Sequence, residues 1–183
     1  MAMRLKTFSK WHVITGGPSS GKTTIVLTLE QLGYNVGHEI ARMVVDEAVA
    51  KGISIEDLRN NDAEFQHEIL LRNIEREMGL RNDKEVFLDR AVPDSIAYYT
   101  ICGLDTAKIK AYAADKYSDV FFLEQLRFKK DYSRSKMEDS VMIQRLNDLL
   151  YTSYTKLGYN VTRVPAMPVQ SRVDFILSKV KRE

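Results

Sequence analysis

The stretch Gly16-Gly17-Pro18-Ser19-Ser20-Gly21-Lys22-Thr23 limits the folds open to this chain more than any other feature. It fills every fixed position of G-x-x-x-x-G-K-[ST]. It also lies between a β-prone run over residues 11–15 and a helical apolar stripe of Ile25, Val26, Leu29 and Leu32. That order is what the chemistry needs. Glycines let backbone N–H groups curl around an anion, and the helix N-terminus behind them adds unpaired donors and the positive end of a dipole. In such a loop Lys22 reaches the β- and γ-phosphates of a nucleotide and the Thr23 hydroxyl ligates Mg²⁺, with Thr24 following in the first helical turn. A nucleotide and Mg²⁺ are therefore the expected ligands of residues 16–24.

The remainder reads as short strands alternating with helices. Strands are expected over 11–15, 35–39, 85–88 running into Asp89, 120–123 and 160–164. Helices are expected from Thr23, over 40–51, over 62–81, from a first turn holding Pro93, and over 106–117, 140–157 and 169–179. Parallel strands need crossover connections, so the pattern predicts an α/β fold with about five parallel strands covered on both faces. The segment Leu32-Gly33-Tyr34-Asn35-Val36 recurs as Leu157-Gly158-Tyr159-Asn160-Val161, which predicts one helix-to-strand connection used twice.

Composition narrows the function classes. With 183 residues, 44% of them apolar, the chain suffices for one domain over 1–183 and leaves little room for a second. A formal net charge of +2 gives no whole-molecule attraction to nucleic acid. No apolar run is long enough for a membrane span or a signal peptide, so a cytoplasmic location is expected. Cys102 stands alone, which excludes an intrachain disulfide and suggests a small buried hydrophobe. His12, His38 and His67 lack metal-ligand spacing, and oligomeric state is left open.

Asp89 follows three apolar residues, the position at which P-loop proteins place a carboxylate for Mg²⁺; the alternative is a solvated strand end. ATPases of the AAA type usually follow that aspartate with a water-polarising glutamate, whereas this chain has Arg90, a cation suited to transferred phosphate charge. The guanine signature N-K-x-D is absent, which leaves adenine, hence ATP, as the default base.

At these residues the chain resembles P-loop kinases of nucleosides and nucleotides, and within them NadR-like proteins labelled as AAA-domain ATPases. The resemblance spans most of the chain. It rests on the phosphate loop, Glu39-Ile40-Ala41-Arg42, Phe65-Gln66, Phe87-Leu88-Asp89-Arg90-Ala91-Val92-Pro93-Asp94, and Tyr154 to Tyr159 leading to Val164-Pro165. It implies a three-layer α/β/α P-loop NTPase fold with sheet order 2-3-1-4-5, a mobile lid over 125–139 and an acceptor site beside the phosphate loop. Glu39 resembles the glutamate that acts as base on an acceptor hydroxyl, the alternative being an ion pair with Arg42. Gln66 resembles an acceptor contact, or else faces solvent. Arg42 and Arg90 are further acceptor candidates, and Arg127 and Arg134 are candidate lid cations that grip phosphate. Pro165 belongs to a loop resembling one that lines adenine, or is simply a turn before the last helix.

The expected activity is Mg²⁺-dependent transfer of the ATP γ-phosphoryl to a small nucleoside-, nucleotide- or vitamin-like acceptor, with Lys22, Glu39, Asp89, Arg90 and Arg134 as catalytic candidates. A nucleotide-dependent ATPase or switch that binds a protein or lipid partner, and a pure binding module, are the alternatives.

Overall fold

The computed structural model describes residues 9–60, 62–126 and 134–180, with side chains for all of these except 59, 60 and 134–140. In chain order the elements are β1 (Trp11–Thr15), α1 (Lys22–Gln31), β2 (Val36–Gly37), α2 (Ile40–Ala50), α3 (Ile55–Asn60), α4 (Asp62–Met78) and β3 (Val86–Asp89). There follow α5 (Asp94–Ile101), α6 (Ala107–Ala113), β4 (Asp119–Leu123), α7 (Arg134–Lys156), β5 (Val161–Val164) and α8 (Val169–Lys179). The strands form one parallel sheet in the order β2-β3-β1-β4-β5, as the resemblance implied.

Every residue of β1 is buried, because side chains on both sheet faces meet helices. Alternate residues serve opposite faces. Ile14, Phe87, Phe121 and Leu123 pack with Ile25, Val26 and Leu29 of α1 and Val173 and Ile176 of α8. Trp11, Val13, Val86, Leu88 and Val120 face the other way, against Ala91, Tyr117 and Tyr154 of α7. The repeated segment does build one connection twice. Gly33 and Gly158 take φ of 91° and 86°, and the following Tyr34 and Tyr159 N–H groups donate back to Leu29 O at 3.1 Å and Tyr154 O at 3.2 Å.

Several boundaries differ from the sequence expectation. β2 holds two residues instead of five: beyond Gly37 the His38 carbonyl accepts from the Arg76 guanidinium, so the chain leaves the ladder. α4 stops at Met78, short of residue 81, as Gly79 N–H turns back to both Glu75 O and Arg76 O. Pro93 stands just before α5, with φ −61° already helical. α6 ends at Ala113, because Asp115 takes φ 56° and Tyr117 turns into the core. α7 begins at Arg134, ahead of 140; its first residues carry no apolar stripe to announce it. α3 was not expected at all, although Ser54 caps it by accepting from Asp57 N–H at 3.0 Å. Cys102 is half-buried at the end of α5, with its thiol 3.6 Å from Asp62 Oδ2, and is not a core residue. No helix among the described residues is long and apolar enough to cross a membrane.

Candidate active site

The carboxyl ends of β1, β2 and β3 carry the candidate side chains to one rim of the sheet, the usual location for ligands in open α/β sheets. β1 runs into the phosphate loop. Gly16 takes φ 138°, and a Cβ there would lie 2.6 Å from Leu123 O, so the loop can pass β4 this closely only at glycine. Pro18, Ser19 and Thr24 are exposed, Gly17 and Ser20 are buried, and Gly21 precedes α1. Lys22 is only 6% exposed; its Nζ donates to Gly17 O at 2.7 Å and Ser20 Oγ at 3.3 Å. Burial, and then the Arg90 charge, lower its pKa to about 8, with Asp89, Glu39 and Asp94 opposing them.

A buried arginine braces this loop from α8. Arg172 donates to Ser20 O at 2.5 Å, Glu124 O at 2.8 Å and Pro165 O at 2.8 Å, which ties the phosphate loop to the ends of β4 and β5. Pro165 thus lies in a segment fixed beside the loop. Nothing in the sequence pattern marks Arg172 for this task.

Thr23 Oγ1 donates to Asp89 Oδ2 at 3.0 Å, so the two expected metal-holding groups are adjacent. Asp89 is fully buried, and its Oδ1 has no hydrogen-bond partner among the described residues. An orphaned carboxylate oxygen next to a hydroxyl fits a hard divalent cation. No cluster of three or more His, Cys, Asp or Glu able to hold a metal occurs among the described residues.

Burial, and then the Glu39 charge, push Asp89 up to about 6. The folded state therefore keeps a proton that the unfolded chain releases near 3.8. Its stability falls as pH rises through that window, and the full cost, roughly 3 kcal/mol, is present above about pH 6. Metal-free Asp89→Asn is expected to melt several degrees above the parent protein at pH 7.5 and level with it at pH 4. Thermal scans in a chelator at both pH values check this.

Beyond Asp89, Arg90 occupies the left-handed region, φ 65°, and both its backbone groups and two of its guanidinium nitrogens are engaged. Its N–H donates to Ile14 O and its carbonyl accepts from Arg76. Its Nε meets Glu39 Oε1 at 2.8 Å and its Nη1 meets Asp94 Oδ1 at 3.0 Å. Burial opposes the guanidinium charge, but Tyr98, Asp94 and Glu39 outweigh it and hold the pKa above the ordinary value. Glu39 therefore pairs across 51 residues with Arg90, and the expected alternative pairing with Arg42 does not form. Arg42 points outward to Asp46 at 3.2 Å and is not brought to the site.

Asp94 was quoted in the motif but given no role, and it is the hub. Its carboxylate accepts from Thr15 Oγ1 at 2.7 Å, Arg90 Nη1, Ala91 N–H at 3.2 Å and the buried Tyr154 hydroxyl. Its spacing of four from Arg90 was the available signal. Gln66 is 8% exposed and does not face solvent. With Glu39, Phe65, Arg90, Asp94 and Tyr98 it lines a cavity of about 180 Å³. Arg127 lies outside the described residues, as does the side chain of Arg134, whose backbone opens α7; of the lid expected over 125–139, residues 127–133 lie outside the described residues and 134–139 belong to α7.

Residues 11–172 match the model of a family described as AAA domain. Among solved structures the chain resembles thymidylate kinase from Ehrlichia chaffeensis, at 17% identity over 93% of this chain and 97% of that one, with TM-score 0.63. It also resembles deoxyadenosine kinase from M. mycoides with dCMP and dCDP bound, at 18% identity over 93% and 98%, TM-score 0.61. A NadR protein in complex with NAD and AMP-PNP aligns at 16% identity and TM-score 0.62; it covers 97% of this chain, which spans about half (52%) of that one. At such identities the likeness is one of fold. No curated protein matches the sequence.

Proposed function

Because the chain belongs to this AAA-domain family of P-loop NTPases, within the nucleotide-kinase-like group, we propose that it transfers the γ-phosphoryl of ATP to a hydroxyl of a small, unphosphorylated, nucleoside-like acceptor. The carrying observation is the Glu39–Arg90 pair: it lines a cavity with aromatic walls, one residue along the chain from Asp89, which touches Thr23 of the phosphate loop.

In this reading the N–H groups of the loop and Lys22 grip the β- and γ-phosphates, and Thr23 with Asp89 would hold Mg²⁺, which when bound offsets charge on the phosphates. Glu39 takes the acceptor proton. Its Oε1 is held by Arg90, while Oε2 carries no hydrogen bond among the described residues and is free for a hydroxyl. Arg90, in the place where a hydrolase carries a base, supports transfer over attack by water. Phe65 and Tyr98 offer faces for a planar ring, and Gln66 offers an amide to its edge. Charge narrows the acceptor. Among the lining residues, two carboxylates, Glu39 and Asp94, are met by one guanidinium already paired to both, so the cavity wall offers an acceptor monophosphate no spare cation. Arg127 and Arg134 remain candidates to close over the phosphates from the lid.

A panel of nucleosides, vitamins and their 5′-monophosphates tests the reading. ATP alone should turn over slowly, one unphosphorylated compound should accelerate consumption by about 10²-fold or more, and its monophosphate should not. Acceleration only by a protein or lipid partner would favour the ATPase-switch reading instead. Glu39→Gln is expected to slow transfer by about 10²- to 10⁴-fold with ATP affinity nearly unchanged, measured by initial rates and nucleotide titration.

A further inference from the structure

Glu39 and Arg90 must stand at a fixed spacing for the proposed transfer, yet the sheet holds only one of them: Arg90 N–H donates to Ile14 O of β1, and no ladder pair reaches Glu39. β2 is an edge strand whose ladder ends at Gly37, two residues before Glu39. Arg90 follows the end of β3 in a left-handed conformation, which costs a non-glycine residue about 1–2 kcal/mol unless its surroundings enforce it. Something outside the sheet has to tie the Arg90 carbonyl to the backbone that leads into Glu39.

A single side chain on α4 reaches both. Arg76 Nη1 donates to His38 O at 2.7 Å, and Nη2 donates to Arg90 O at 2.8 Å and to Asn73 Oδ1 at 2.9 Å. With the Glu39–Arg90 ion pair these bonds close a ring, from Arg76 to the backbone before Glu39, through Glu39 to the Arg90 side chain, and back through the Arg90 carbonyl. The planar fork of arginine suits this, since two donors at fixed separation set the distance between two acceptors. Its stem crosses β2 at Gly37, where a Cβ would lie 3.5 Å from Arg76 Cδ and 2.8 Å from Leu88 Cδ2. The next residue, Glu77, grips the same turn through Val92 N–H at 3.1 Å. Arg76 itself does not line the cavity.

We infer that Arg76 is a positioning residue for phosphoryl transfer: it sets the spacing of Glu39 and Arg90 by clamping the backbones of the two loops that carry them. The inference rests on the phosphotransfer reading above. Arg76→Lys is the decisive variant, because an ammonium keeps the charge and much of the stem but cannot span two carbonyls with a rigid fork. Misplacing a reacting group by about 1 Å costs about 10²-fold, so kcat should fall by that order in Arg76→Lys and further in Arg76→Met. KM for ATP should stay within about twofold.

Rates are to be expressed per nucleotide-binding site, counted by titration, so that a smaller folded fraction does not pass for a positioning effect. A second readout needs no acceptor: hydrogen exchange of the Arg90 Nε–H, followed by NMR in protein labelled on arginine nitrogen. This group is held against Glu39 in the parent protein, and its exchange should accelerate tenfold or more in Arg76→Lys. Slower transfer per site together with faster Arg90 exchange supports the clamp. Parental kcat per site, or unaltered Arg90 exchange, overturns it. If no acceptor is ever found, the phosphotransfer reading fails alone, and the exchange measurement still decides whether Arg76 fixes Arg90. Should Arg76→Met not fold, Arg76→Lys carries both readouts.

Discussion

Lys22→Met is expected to reduce phosphoryl transfer by about 10³-fold while making the nucleotide-free protein more resistant to heat, two effects of opposite sign from one substitution. The first follows, on the phosphotransfer reading, from removing the cation proposed to face transferred charge. The second follows from burial. Lys22 titrates near 8 in the folded chain against 10.5 when free, so holding it charged at pH 7 costs the fold roughly 3 kcal/mol. Methionine removes that cost and forfeits the bonds to Gly17 O and Ser20 Oγ, each worth about 1 kcal/mol. The balance is a gain of about 1 kcal/mol, or some 2–4 °C for a chain of this size. Between pH 8 and 10.5 the unfolded chain holds the proton and the folded one does not, so the parental stability rises with pH across that window and the variant's advantage disappears. Melting curves at pH 7 and pH 10, without nucleotide, test the sign. A variant that melts below the parent at pH 7 contradicts this account of the lysine.

Asp94→Ala should have the largest effect on stability. Four donors converge on this carboxylate, among them the buried Arg90 guanidinium and the buried Tyr154 hydroxyl. Removing it leaves a charge and several polar groups without partners, a loss of about 3–5 kcal/mol and about 10 °C in Tm. Transfer should be lost with it, since Arg90 would keep only Glu39 as a carboxylate partner. Asp94→Asn should fall between, because an amide still accepts from Thr15 and Arg90 but presents its own N–H to the Ala91 N–H. Calorimetry of the three proteins measures the series. A loss below 1 kcal/mol for the alanine variant would show that the hub carries little energy.

The parts of this site built from consecutive residues were legible in the sequence, and the parts built by long-range contacts were not. The phosphate loop announces itself because anion binding by backbone needs particular residues in unbroken order. Asp89 was found by its place at the end of an apolar strand, and it does stand beside Thr23. Glu39 was located, but its partner was sought three residues away in Arg42 and lies 51 residues away in Arg90. A tertiary ion pair outcompeted the local one because Arg90 is buried, where a second charge must be met, while Arg42 stays solvated. Arg76 and Arg172 left no pattern, since arginines that bind carbonyls leave the acceptor's residue type unconstrained. α3 escaped because its short run has a cap and no apolar stripe, and β2 was overextended because alternation alone cannot show where a ladder ends.

The brace that Arg172 supplies also sets a timetable for synthesis. The glycine loop proposed to receive a triphosphate is made ahead of its support, since the side chain that steadies Ser20 is added 152 positions later. A ribosome-bound nascent chain displaying the complete glycine motif would still lack its support, and any competence to hold a nucleotide would arrive late, with the helix that contains Arg172.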